Sequence, residues 1–584
     1  MIHRKRTKII LIVLTAILGS LPARITAYEY QKERMFIEGY RALAEGKYTE
    51  ALTFLNDIIA HGDGDAETYF CAGYAEYQLN NCEKAIEQYQ QAVGSKPQMK
   101  EALLNRGVAE IVAGNGAEAL LMGQAIISFA PDYTPAYHLM AVASGYLNES
   151  KAEVDYYREA LRKDSTFFLS RFNLALSYIR LEWYKEAAEE LIRSINLKSD
   201  FAPAHYWLGQ VYGILRNPAE EAIAYDNALY LGMNTVTLHY NLGIAYAELG
   251  RPADEQAQYR KALGIDPAFV SALYNLSVNL GETGNWQESA AILKKASAIK
   301  PELALNESSA QSRKRLPRLG DFPEKYYQLV TVKPEEIISP EYLAEKANIA
   351  GLPEAAVEFY REAVSRSPDD IALKLSLAEL YMQLENWSEV ISLMKPVVTL
   401  TPEEPRAYQY LGKAYLEKGA VNSTIKLLEP KLADFPTDFK ICSLLGVCYV
   451  SKQQWEKARN ILQEADRLRG DDFETCNFLG VALMQLERWE EAAAAFEKAL
   501  KLKPDFADGH CSLGLVYGSL GKHEQEIAAY REAIRLKPDM AEAYYGLGLA
   551  YLDIEDKDAA QEQYVVLYNL DKGLAKDLLR QIKK

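Results

Sequence analysis

Apolar residues three and four positions apart recur in paired short runs along most of the chain, and the stretch Leu238 to Pro267 shows the unit most clearly. Leu242, Gly243, Ala245 and Tyr246 fall in its first half, Tyr259, Ala262 and Pro267 in its second, with a turn around Gly250 between them. That spacing predicts two short amphipathic helices. One such pair cannot bury its own apolar faces, so the unit needs neighbours and the expected fold is an array.

Placed in a 34-residue frame from Val236 to Phe269, the unit repeats without slippage. Eight frames fill 32–303 and seven fill 337–574. The eighth frame position holds only small residues, among them Gly39, Gly73, Gly107, Gly243, Ser277, Ala344, Gly480 and Gly548, as a close helix crossing requires. The twenty-seventh is often Ala (Ala92, Ala160, Ala262, Ala499), and the thirty-second often Pro (Pro97, Pro267, Pro402, Pro538), which stops the second helix. Trp286, Trp387, Trp455 and Trp489 share the seventeenth position with Pro218, Pro252 and Pro353, where a first helical turn is expected. These aromatics read as scaffold.

Period 34, Leu-Gly and Tyr in the first helix, and Ala, Tyr or Phe, Ala and Pro in the second all resemble the tetratricopeptide repeat, over about nine tenths of the chain. The resemblance implies an all-α, right-handed superhelical solenoid of helix-turn-helix repeats. Its first helices line a concave face, through frame positions 2, 5, 6, 9, 12 and 13. In the first array the fifth position carries Phe36, Phe70, Phe172, Tyr206, Tyr240 and Tyr274, and the sixth carries Asn105, Asn173, Asn241 and Asn275. An Asn amide both donates and accepts. A column of them can therefore pair with the backbone of an extended peptide while aromatics supply contact area. The candidate peptide-binding residues are Asn105, Asn173, Asn241, Asn275, Phe172, Tyr206, Tyr240 and Tyr274. The column resembles the asparagine ladder in the repeat domain of O-linked N-acetylglucosamine transferase, without any catalytic domain. Ile37, Cys71, Leu139 and Trp207 interrupt it, and the competing expectation is that these Asn satisfy neighbouring helix ends.

The second array has no Asn at the sixth position. Its groove positions carry Glu341, Glu345, Glu379, Glu417, Glu474, Asp508, Glu542 and Asp553 against Arg406, Lys413 and Lys440. Chaperone-adaptor members of the family hold a C-terminal carboxylate with clustered Lys and Arg, which this array lacks. A basic or neutral segment is the expected guest.

Outside the arrays, residues 304–336 read as a linker or a degenerate repeat. Ser308, Ser309 and Ser312, the basic residues Arg313, Lys314, Arg315 and Arg318, and Pro317, Pro323 and Pro334 suit a joint, with Tyr326 to Val332 able to be extended. The basic run is expected to be a solvated loop or a contact for an acidic partner. Residues 575–584 are expected to form a helix capping the second array. At the start, Arg4, Lys5, Arg6 and Lys8 precede the apolar run Ile9 to Leu18 and then small residues, the order of a signal peptide over 1–27. The run is shorter than the roughly 20 residues of a membrane span, so cleavage is favoured over an uncleaved anchor. The formal charge of −16 disfavours nucleic acid as a partner.

No enzyme chemistry emerges. His523-Glu524-Gln525-Glu526 begins like a zinc-protease helix but has Ile527 where a second His is required, and reads as a polar helix face. His205, His239 and His510 share the fourth position as packing residues. The six Cys read as small buried residues. No catalytic residue, metal site or cofactor is expected. The expected function is a non-enzymatic protein-protein interaction scaffold in the cell envelope or secretory compartment, binding extended segments. The alternatives are an assembly subunit of an envelope polysaccharide or protein secretion machine, and a substrate-recognition partner of a separate glycosyltransferase.

Overall fold

The computed structural model describes residues 27–306, 314–320 and 326–583. Among them are 32 α-helices and no strand. The expected export signal lies outside the described residues except for Ala27, where the helix Ala27–Ala44 begins. The chain divides into two units, Met1–Ser339 and Pro340–Lys584. Repeats 1–8 (32–303) belong to the first and repeats 9–15 (337–574), apart from their opening residues 337–339, to the second.

Each unit is a stack of antiparallel helix pairs in the register of the sequence. In repeat 7, Val236–Glu248 is followed by Pro252–Ile265; in repeat 13, Phe473–Gln485 is followed by Trp489–Leu502. Second helices thus open at frame position 17, and first helices at position 1 except in repeats 1 and 9, which open at Ala27 and Pro340. Repeat 11 departs: its second helix, Val421–Leu428, gives way at Pro430 to the 3-10 turn Glu429–Leu432, whereas Pro396, at the same frame position of repeat 10, lies inside the unbroken helix Trp387–Leu400.

The eighth position shows why only small residues occur there. A Cβ on Gly73 would stand 2.8 Å from the Tyr89 ring, and one on Gly480 2.9 Å from the Phe496 ring. The residue at frame position 24, in the second helix, therefore seats against the bare backbone of the first. Position 15, in the turn, has positive φ in every repeat, whether Gly (Gly250, φ 67°) or a larger residue (Glu487, φ 58°). Left-handed backbone at that place ends the first helix. Asp65, Asp370, Asp438 and Asp472 close each preceding repeat and cap the next first helix through a backbone N–H.

The second unit ends in the helix Lys572–Ile582, three residues earlier than expected. Its Leu578 is fully buried, 2.6 Å from where a Gly548 Cβ would stand, and so covers the last repeat. No helix among the described residues is long and apolar enough to cross a membrane.

Between the arrays the described residues form no helix pair. Residues 314–320 and 326–333 are extended, with the 3-10 turn Pro301–Asn306 before them and the single helical turn Pro334–Ile337 after them.

Candidate functional site

Those extended residues lie on the first helices of the first unit. Asn275 donates from Nδ2 to the carbonyl of Leu316 (3.1 Å) and accepts on Oδ1 from the N–H of the same residue (2.7 Å). Asn241 does the same with Leu319 (2.8 and 3.0 Å), Asn173 with Gln328 (3.0 and 3.0 Å) and Asn105 with Val332 (2.7 and 2.8 Å). The chain runs from repeat 8 back to repeat 3, antiparallel to the order of the repeats. Each carboxamide takes the place of a neighbouring β-strand for one residue, satisfying backbone groups that burial would otherwise leave costly. All four Asn are at most 1% exposed. Tyr89, Tyr225 and Tyr259, the twenty-fourth residues of the preceding repeats, place their hydroxyls 3.4 to 3.5 Å behind Asn105, Asn241 and Asn275.

The candidate aromatics divide. Tyr240 donates its hydroxyl toward the carbonyls of Leu316 (3.1 Å) and Pro317 (2.9 Å). Phe172 is buried against Phe201 and has the Tyr326 ring 6.5 Å away. Tyr206 packs between Trp207 and Tyr225 and accepts from Gln210, and Tyr274 sits in a core cluster against which Leu316 packs. Trp207, which interrupts the column, meets Tyr326 at 6.0 Å.

Sequence reading missed three kinds of residue. The first is His138, at the fifth position of repeat 4. It is buried, with Nε2 2.8 Å from the Gln328 carbonyl and Nδ1 2.9 Å from Ser170 Oγ. Burial lowers its pKa to about 4, so the ring is neutral near pH 7, donates to Gln328 and accepts from Ser170.

The second is a set of buried acids at frame position 20, where Ala is usual. Glu221 accepts Arg318 through both carboxylate oxygens (2.8 and 2.7 Å), and Glu255 accepts Arg315 likewise (2.7 and 3.0 Å). At the rim, Glu248 closes on Arg318 and Glu282 on Arg315, from position 13 of the following repeats. Burial pushes Glu221 up to about 7 against the opposing pull of the Arg318 guanidinium. The arginines three residues apart serve sockets one repeat apart. The expectation of a solvated basic loop is thus corrected for Arg315 and Arg318. Lys314 is exposed, and Arg313 lies outside the described residues.

The third is small residues that admit the segment. A Cβ on Gly213 would stand 3.0 Å from Arg318 Cδ, and Gly145 leaves room for the Tyr327 ring. Arg180 pairs with Glu153 and lies 5.0 Å over that ring. Glu at an alanine position eight residues after a Gly was the available sign, and the apolar-face reading passed over it.

In the second unit the sixth position holds Tyr342, Ser376, Tyr410, Leu444, Phe478, Ser512 and Gly546. None offers the two-way amide. In the polar run at His523, Nδ1 of that residue lies 3.2 Å from Glu526 Oε2, and Glu526 is only 5% exposed. His205, His239 and His510 are held by Ser199, by Gln258 and Asn234, and by Pro504 respectively. All six cysteines are free.

Family models described as tetratricopeptide repeats match residues 72–134, 170–201, 236–269, 348–414 and 541–571, and one described as TPR repeat matches 480–521 and 519–554. A model described as anaphase-promoting complex subunit 3 matches 417–499. The peroxisomal targeting signal receptor of Candida albicans is 34% identical over 74 residues, 13% of this chain and only 12% of the receptor's length. Among solved structures, MamA is 28% identical, with 28% of this chain and 97% of that one covered (TM-score 0.27). YrrB, described as a TPR protein with an unusual peptide-binding site, is 24% identical over 31% and 95% (TM-score 0.30). The Cut9–Hcn1 hetero-tetramer of the APC/C is 16% identical over 85% and 98% (TM-score 0.33). With helix pairs in one register and repeat models matched in both arrays, this chain belongs to the tetratricopeptide repeat superfamily.

Proposed function

We propose that this protein is a non-enzymatic scaffold that holds extended protein segments along its first helices, in the cell envelope or secretory compartment. The location rests on the basic-apolar order of residues 4–24 alone. The binding mode rests on one observation: four Asn at the same repeat position each grip one residue of an extended segment by its own N–H and carbonyl. Such a grip reads backbone direction and spacing. Side-chain choice falls to the acid sockets, which select arginine. In the first array the segment is the chain's own, so that groove is self-filled and the second remains for partners.

The test is to open the first groove and refill it. An Arg315→Glu, Arg318→Glu double variant sets carboxylates against Glu255 and Glu221 and releases the segment. A fluorescent peptide of residues 314–332 is expected to bind this variant much more tightly than the wild type, with circular dichroism showing retained helix in both. A folded variant that fails to bind the peptide contradicts the proposal.

A further inference from the structure

Position 20 is Ala in most repeats (Ala51, Ala85, Ala119, Ala187, Ala356, Ala458, Ala492, Ala560) and Glu in four: Glu153, Glu221, Glu255 and Glu526. All four Glu are buried. Position 12 of the same repeat then holds a residue with little or no side chain, namely Gly145, Gly213, Ala247 and Gly518. A Cβ on Gly213 would stand 2.8 Å from Glu221 Oε1, and one on Gly518 2.5 Å from Glu526 Oε1. The departure from Ala at one position is thus matched by the loss of a side chain at the other.

Three of the four meet a guanidinium. Glu153 takes Arg180 from position 13 of the next repeat, so that socket is filled by the array itself. Glu221 and Glu255 take Arg318 and Arg315 from the extended segment, and position 13 of the next repeat is then an acid, Glu248 or Glu282. Glu526 follows the second pattern. Position 13 of repeat 15 is Asp553, exposed like Glu248 and Glu282, and ligand atoms of His523, Glu526 and Asp553 lie within 4.8 Å of one another. Among the described residues no Lys or Arg pairs with Glu526 or Asp553; Glu526 meets only His523.

We propose that Glu526 and Asp553, floored by Gly518, form an arginine socket in the second array that receives one arginine of a partner's extended segment. A buried carboxylate and a rim carboxylate one repeat apart suit the planar fork of a guanidinium, which can donate to both at once, better than a point-charged ammonium. The two filled sockets of the first unit provide the precedent. No Asn clamps the backbone nearby, so this groove reads its guest by side chain. The proposal rests on the reading that the grooves hold extended segments.

The probe is a fluorescent peptide with the sequence of residues 314–319, Lys-Arg-Leu-Pro-Arg-Leu, and its partner with both Arg replaced by Gln, titrated into the full chain by anisotropy. The arginine peptide is expected to bind wild type at least tenfold more tightly than the glutamine peptide. Glu526→Gln and Asp553→Asn should each remove that preference, while Ser512→Ala, on a first helix of the same array outside the socket, should leave it intact. Equal affinity for both peptides, or a preference unchanged by both acid variants, overturns the socket. So does calorimetric binding of Zn²⁺ alone that is lost in Glu526→Gln while the arginine peptide fails to bind, which would make the cluster a metal site. In any of these cases, refilling of the opened first groove by the 314–332 peptide decides separately whether the groove reading stands.

Discussion

The two arrays share a helix register and differ in what their first helices offer a guest. Repeats 3, 5, 7 and 8 present an Asn at the sixth position, and repeats 6 and 7 a buried Glu at the twentieth, so that surface grips both backbone and arginine. Repeats 9–15 keep one such Glu and no such Asn. Period and packing are thus compatible with very different recognition. A handful of substitutions at positions that the fold leaves free converts a packing surface into a clamp.

The widest gap between the arrays is expected at their acids. Arg318→Ala leaves Glu221 buried without its partner and should cost about 3–5 kcal/mol, read as a lower urea midpoint for the first unit. Glu526→Gln, which removes a carboxylate already disfavoured by burial, should leave the second unit's midpoint unchanged or raise it. Equal losses would erase the distinction.

Protonation gives the next effect. His138 has its folded pKa lowered to about 4 by burial, below the unfolded value of about 6.5. The unfolded chain therefore binds more protons between those values, and the stability due to the neutral ring is complete above about pH 6.5 and lost as pH falls toward 4. The size is about 3 kcal/mol. Glu221, raised to about 7, acts with the opposite sign in the same window. The measurement is therefore the stability difference between wild type and His138→Phe, in which the Glu221 contribution cancels. That difference should shift in favour of the variant as pH falls.

Single clamps come third. Asn173→Ala removes both bonds to Gln328 and leaves its half-buried N–H short of a partner, a cost of about 1–3 kcal/mol. Ser512→Ala, at the same position of repeat 14, should cost less than about 0.5 kcal/mol. The smallest effect lies in the turns common to both arrays: Glu487→Gly relieves a left-handed residue and should add about 1 kcal/mol, by thermal unfolding.

The fold was legible because its determinants repeat. Gly at the eighth position faces a large residue at the twenty-fourth over and over, and fifteen copies average out local exceptions such as Pro430. The Asn column was legible for the same reason. Its occupant was not: Leu316, Leu319 and Val332 are ordinary aliphatic residues and Gln328 a polar one, because Asn reads their backbone, and backbone leaves no mark in sequence. The acid sockets were legible in principle, through Glu221 and Glu255 at an alanine position. Their meaning needed Arg315 and Arg318, which are near in space but 60 to 97 residues away along the chain.

The central claim, that the first array clasps its own segment through the Asn column, is tested most directly by hydrogen exchange followed by mass spectrometry over residues 314–333. The N–H groups of Leu316, Leu319, Gln328 and Val332 donate to Asn side chains. They should exchange slowly in wild type and at the rate of a free peptide in an Asn173→Ala, Asn241→Ala, Asn275→Ala variant that keeps its helix. Fast exchange across this segment in the wild type would contradict the account.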